Sequence, residues 1–137
     1  MSLTRLFAKL GAPLKNTRWS WGAVRADGAV FLRVWEDAER KIDDAWFVVI
    51  GWPERDGVDD RAGYRERCHH VELIVRDKRP CYLVMCRAED AAAARRTIAS
   101  FNADEVFLGG RIVVIEGKTL VERAARIPVE AIALTSS

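Results

Sequence analysis

The chain is poor in the residues that carry metal and thiol chemistry. It has three cysteines, Cys68, Cys81 and Cys86, an odd number with no CxxC pair. That count argues against a disulfide framework and a zinc finger. Cys81 and Cys86 lie five apart in an apparent strand, so they are expected on opposite sides of a sheet, and three reduced, mostly buried thiols are the simplest expectation. The only histidines, His69 and His70, are adjacent. On a helix such neighbours point about 100° apart, and there is no HExxH motif or second histidine pair to complete a metal site. No stretch approaches the roughly 20 apolar residues of a membrane span, so no membrane partner is expected. The opening residues, Met1 to Phe7, are broken by charge and lack a signal-peptide core, which makes the cytoplasm the expected setting. Internal repeats and low-complexity linkers are also missing. Net charge is only +2, too little to identify a nucleic-acid binder by itself.

Other catalytic signatures are equally thin. Ser20 lacks a nucleophile elbow. Consecutive side chains diverge, so Cys68 and His69 do not make a dyad. Gly109-Gly110-Arg111 precedes a strand, whereas a phosphate loop leads into a helix; a bulge or bend is the simpler expectation. Asp59, Asp60, Glu66, Glu72, Asp104 and Glu105 are spaced too irregularly to define a two-metal centre. No catalytic residue, metal ligand or cofactor is assigned.

What the chain does have is half apolar and about a third charged residues over 137 positions, enough for one domain, residues 1–137, with its own core. Charge is unevenly placed. Residues 1–36 hold Arg5, Lys9, Lys15, Arg18, Arg25 and Arg33 against Asp27 and Glu36, a local net of +4 that would steer a polyanion. Arg18 to Trp35 also contain three of the five tryptophans. Asp27-Gly28 signals a two-residue hairpin turn there, which would set Gly22 opposite Arg33 and Ser20 opposite Trp35. Alternation then gives a core face of Trp19, Trp21 and Ala23 beside Leu32 and Val34. The other face carries Arg18, Ser20, Gly22 and Val24 beside Phe31, Arg33 and Trp35, with a low spot over Ser20 and Gly22. A slip of one residue would exchange the two faces, and a covering helix would turn Phe31 and Trp35 into core.

Around this hairpin, Ser2 caps a short helix with Leu3, Leu6, Phe7 and Leu10 on one face. Glu36 to Asp44 reads as a polar connection, Ala45 to Trp52 as a central strand ended by Pro53, and Glu54 to Arg61 as an exposed loop. Tyr64, Cys68, Val71 and Val75 predict a helix over 62–76, with Arg65, Glu66, Arg67, His69 and Glu72 outward. Cys81 to Cys86 reads as a strand. Asp90 and the alanine run predict a helix from Ala91 to Phe101. Glu105 to Leu108, Arg111 to Ile115 and Lys118 to Arg123 read as strands, and Ile127 to Leu134 as an edge strand. The fold class is α+β: a curled, mostly antiparallel sheet or partly open β-barrel with two or three helices.

This β-rich order with intervening helices, together with the aromatic-basic strands Trp19–Arg25 and Phe31–Trp35, resembles the small β-barrel modules of the PUA-like superfamily, which includes readers of RNA and modified DNA. The resemblance implies a nucleic-acid partner. The leading expectation is a noncatalytic module binding DNA or RNA through Arg18, Ser20, Gly22, Phe31, Arg33 and Trp35, with Arg111 on a phosphate. An unstacked or modified base would enter the low spot and stack on Trp35. The alternatives are a small metal-dependent nuclease around His69 and His70, a small-molecule pocket, and a protein-interaction module, even a homodimer, using Trp52 or a sheet edge.

Overall fold

A computed structural model describes residues 1–53, 62–93 and 96–134. The expected loop from Glu54 to Arg61, with its Asp56-Gly57 turn and the Asp59-Asp60 pair, lies outside the described residues. The order of elements is α1 (Leu3–Lys9), β1 (Gly22–Val24), β2 (Val30–Trp35), a short 3-10 turn (Glu36–Ala38), β3 (Glu39–Ile42), β4 (Ala45–Gly51), α2 (Ala62–Val75), β5 (Cys81–Ala88), β6 (Ile98–Phe101), β7 (Glu105–Ile115), β8 (Lys118–Pro128) and α3 (Val129–Leu134). The fold is α+β, with three α-helices among the described residues. None of them is long and apolar enough to cross a membrane.

The strands form one sheet in the order β1-β2-β5-β7-β8-β4-β3, with β6 also paired to β5. All pairings are antiparallel except β2 with β5. That parallel pair needs a crossover, which contains β3, β4 and α2. Alternate residues of β2 enter two cores. Phe31 faces α1 and α3, packing with Leu6, Phe7, Leu10, Val129 and Ile132. Val30, Leu32 and Val34 face the other way, toward Val48 and Ile50 of β4 and Ile74 of α2. Cys81 and Cys86 fall into opposite cores, as their spacing requires.

The barrel expectation is corrected. β2 and β4 are separated by three strands along the sheet, yet their side chains meet in one core. The sheet therefore curls far enough to bring its two halves together, but no ladder joins β2 to β4 and the sheet is not closed. The seam is filled by α2. Arg67, 4% exposed, donates to the carbonyls of Ile50 at 3.2 Å, Trp21 at 3.1 Å and Arg33 at 2.6 Å. One guanidinium thus bridges β4, β2 and the residue leading into β1 where backbone pairing would have closed a barrel.

The hairpin register also differs by one residue. Gly22 pairs with Leu32, Ala23 with Phe31 and Val24 with Val30. The loop has three residues, because Arg25 N–H reaches the Ala29 carbonyl at 2.8 Å and Gly28 takes φ +94°, the turn-plus-bulge alternative to a two-residue turn. Arg25 selects it: its guanidinium forks onto Asp27 at 3.0 and 2.9 Å and reaches the carbonyls of Leu10 and Ile132 at 3.4 Å, tying the loop to α1 and α3. Bonding to Arg25 lowers the Asp27 pKa below its ordinary value, assisted by the Ala29 N–H.

Three further elements depart from expectation. The polar connection contains β3, whose Glu39, Arg40 and Lys41 hide a strand that pairs along a sheet edge. The helix expected over Ala91 to Phe101 is absent from its described part: Ile98–Phe101 is β6, and the Glu89 N–H meets the Thr97 carbonyl at 3.0 Å. Pairing with β5 takes Ile98–Phe101 out of a helix, and Asp90 caps a turn at Ala91 and Ala92 instead. The expected tail strand is α3, which closes the Phe31 core. Gly109-Gly110 is a register shift inside the long β7, as a bulge would be, and Glu116-Gly117, both with positive φ, makes the β7–β8 turn.

Candidate functional site

The one-residue slip puts Phe31 and Ala23 on the same face, and α1 and α3 cover it. Phe31 is fully buried, stacked on Tyr82 with centroids 4.9 Å apart and capped by Arg25 at 5.1 Å. The low spot over Ser20 and Gly22 is filled by α2. Ser20, buried, donates its hydroxyl to Glu66 at 3.0 Å, and Glu66 also accepts from the Trp21 N–H at 3.2 Å. His70 lies against Gly22, where a Cβ would stand 2.6 Å from the Phe31 carbonyl oxygen and 3.3 Å from His70 Nδ1. Glycine is thus required by the close approach of the β2 backbone, and His70 of α2 takes the space a ligand was expected to fill.

The remaining expected residues are scattered. Trp35 is half-buried under Arg96, whose Cζ is 5.4 Å from the ring centre and which is forked to Asp37 at 2.7 and 2.8 Å. Arg111 is tied to Glu122, a bond that raises its pKa. Arg18 is exposed. Arg33 is half-buried, and burial lowers its pKa while Cys86 and Glu66 pull the other way. The open platform built on Phe31, Arg33 and Trp35 is not formed. Trp19 and Trp21, expected in the core, are half-buried.

A different aromatic group assembles at the seam. Trp52, just beyond β4, stacks on Trp21 with centroids 5.9 Å apart and a 24° interplanar angle. Tyr64, in the first turn of α2, is tilted against Trp52 at 5.8 Å and donates its hydroxyl to the Trp52 carbonyl at 2.9 Å. Arg67 lies beneath, its Cζ 5.9 Å from the Trp52 ring centre. Trp52, Tyr64, Arg67 and Cys68 border a pocket of about 280 Å³, completed by the β4 end and by Gly117 and Thr119 of the β7–β8 hairpin. Burial, with Arg33 adding to it, pushes the Arg67 pKa down to about 10, so the guanidinium stays charged at neutral pH.

α2 aims these groups because Gly63, Arg67, His70 and Ile74 form its buried stripe. Their four-three-four spacing was legible, but the polar members favoured an outward assignment for Arg67 and Glu66. His69 is exposed and His70 buried. Burial, then the charge of Arg67 and His69, lowers the His70 pKa to about 4. Among the described residues, no three His, Cys, Asp or Glu side chains gather in a metal-binding group. Burial raises the thiols of Cys81 to about 12 and Cys86 to about 11; Cys68, at the pocket, is exposed.

Comparison with protein-family models, curated proteins and solved structures finds no match to this chain.

Proposed function

We propose that the protein is a noncatalytic nucleic-acid-binding module that holds an unstacked base of DNA or RNA against Trp52. The observation that carries this reading is the aromatic wall of Trp52 and Tyr64 beside a pocket of about 280 Å³ with a buried guanidinium beneath it. A π-face accepts any base, and an adjacent cation strengthens the stack. Exposed Lys15, Arg18 and Lys118 supply charge for phosphates, the last of them next to the pocket residue Gly117. The noncatalytic part rests on the state of four candidate groups outside the pocket lining. His70 is held neutral, Ser20 is bonded to Glu66, and Cys81 and Cys86 are held as thiols. A cytoplasmic setting suits its three free cysteines, and kinship with PUA-like modules belongs to the same proposal.

Titration with labelled single-stranded oligonucleotides at two salt concentrations tests it. Affinity should fall with salt, as phosphate contacts require. Trp52→Ala should weaken binding by about 1–3 kcal/mol, the contribution of one stacked base. Trp35→Ala, removing a ring already capped by Arg96, should bind within about twofold of wild type. A folded Trp52→Ala protein with unchanged affinity would remove the pocket from the binding surface.

A further inference from the structure

We infer that the rim formed by β3, β4 and β8 is a second contact site for the strand, where Trp46 stacks a base and Lys41, Arg123 and Arg126 hold its phosphates. The inference rests on the nucleic-acid reading above and adds a surface at the other end of β4 from the Trp52 pocket. Trp46 is 45% exposed, the only exposed aromatic side chain among the described residues. It stands two residues before Val48 in β4 and so shares the face of Val48 and Ile50. Lys41 of β3 is its cross-strand partner; it is exposed and forms no ion pair among the described residues. On the β8 side Phe47 pairs with Glu122 and Val48 with Val121, and one further step of that register sets Arg123 beside Trp46.

Arg123 crosses β4 on this face, reaching from β8 to the Glu39 carboxylate of β3 at 3.3 Å. Its Cζ lies 4.8 Å from the Phe107 ring centre, and that of Arg126 lies 5.3 Å from the same ring. The ring holds both guanidiniums in place, which lowers the cost of ordering them for a ligand. Each has five N–H groups. Arg126 spends one on Glu105, at 3.4 Å, and Arg123 has only the Glu39 contact among the described residues, so donors remain to fork onto phosphate oxygens. Burial raises the Glu39 pKa against the pull of Arg123, which makes this carboxylate a weak competitor for the guanidinium. An open ring flanked by such cations matches a base with its phosphates. An apolar partner would bury the cations unpaired, and an acidic peptide would leave Trp46 without a planar partner.

The test titrates the intact protein with a labelled deoxythymidine strand of about 12 nucleotides, within the usual site size of a small β module. Such a strand reaches both Trp46 and Trp52, which stand roughly 20 Å apart along β4. Trp46→Ala, at an exposed ring, should weaken binding about tenfold. Arg123→Gln and Lys41→Gln should each reduce the slope of log affinity against log salt by about 0.7, the loss of one phosphate contact on a single strand. Unchanged affinity in Trp46→Ala overturns the second site, and the pocket reading then stands on the weakening in Trp52→Ala. Unchanged slopes in both charge variants overturn the phosphate contacts. Polyglutamate that competes as well as the oligonucleotide at equal charge assigns the rim to acidic peptides and overturns the inference. Failure of the wild-type protein to bind the strand overturns both readings.

Discussion

An Arg67→Met protein should unfold at much lower denaturant than wild type, having lost about 3 kcal/mol of stability. Methionine keeps much of the side-chain volume and removes the charge, so the change isolates the hydrogen bonds. Two effects oppose each other. Taking a guanidinium out of water is expensive, and deleting it recovers that cost. Against this stand the carbonyls of Ile50, Arg33 and Trp21. The Trp21 carbonyl keeps a partner, the Arg33 N–H at 3.0 Å. The Ile50 carbonyl lies where the β4–β8 register shifts between Val49 and Gly51, and it loses the Arg67 donor. An unsatisfied buried acceptor costs about 1–3 kcal/mol, and the seam opens with it because no ladder joins β2 to β4. Loss of stability therefore wins. An unchanged unfolding midpoint would show that core packing alone holds the two halves of the sheet together.

Acid should weaken the fold in a defined window. His70 is 5% exposed, and its Nδ1 is buried without a partner. Its pKa is lowered from 6.5 to about 4 by burial first, then by the positive charge of Arg67 and His69. The unfolded chain accepts a proton near pH 6.5, whereas the folded chain resists until about 4. Stability from this group is complete above the unfolded value and declines as pH falls between the two. At about 1.4 kcal/mol per pKa unit, the loss approaches about 3 kcal/mol below the lower value. Asp27, whose pKa is lowered by Arg25, acts with the same sign: its contribution is present above its ordinary value of 3.8 and is lost as pH falls through the lowered one. Denaturation series from pH 7 to 4 should show the decline in wild type and a flatter profile in His70→Phe. A wild-type profile that is flat over that range contradicts the burial of a neutral His70.

The elements easiest to read in the sequence were those in which local pattern and tertiary demand agree. The helix after Ser2, the strand through Phe47 and Val48, the helix of Tyr64 and Val71 and the opposed cysteines of β5 all follow from periodicity. The hairpin turn was placed correctly but its length was not, because Arg25 reaches α1 and α3, elements remote in sequence, to stabilise the longer loop. One residue of register moved Gly22 from the Phe31 face to the Leu32 face and put Ala23 beside Phe31, and the cover of α1 and α3 over Phe31 removed the expected binding platform. The closing helix α3 was hidden because it is short and follows directly on β8, although the three-residue spacing of Val129 and Ile132 in one core is helical. The seam was hidden for a related reason. Arg67, Glu66 and His70 have the composition of a solvated helix face, and only the convergence of β2 and β4 makes it favourable to bury them. Trp52 and Tyr64 lie 12 residues apart in the chain, and they meet because α2 lies across that seam.

The proposed binding site at the seam, in place of the Phe31–Trp35 face, is tested most directly through the five indole N–H resonances. They are recorded in a two-dimensional NMR spectrum and assigned by single Trp→Phe variants. Adding a single-stranded oligonucleotide should shift the signals of Trp52 and its stacked neighbour Trp21 while leaving that of Trp35 in place. Shifts at Trp35 with Trp52 and Trp21 unmoved would contradict the seam as the binding site.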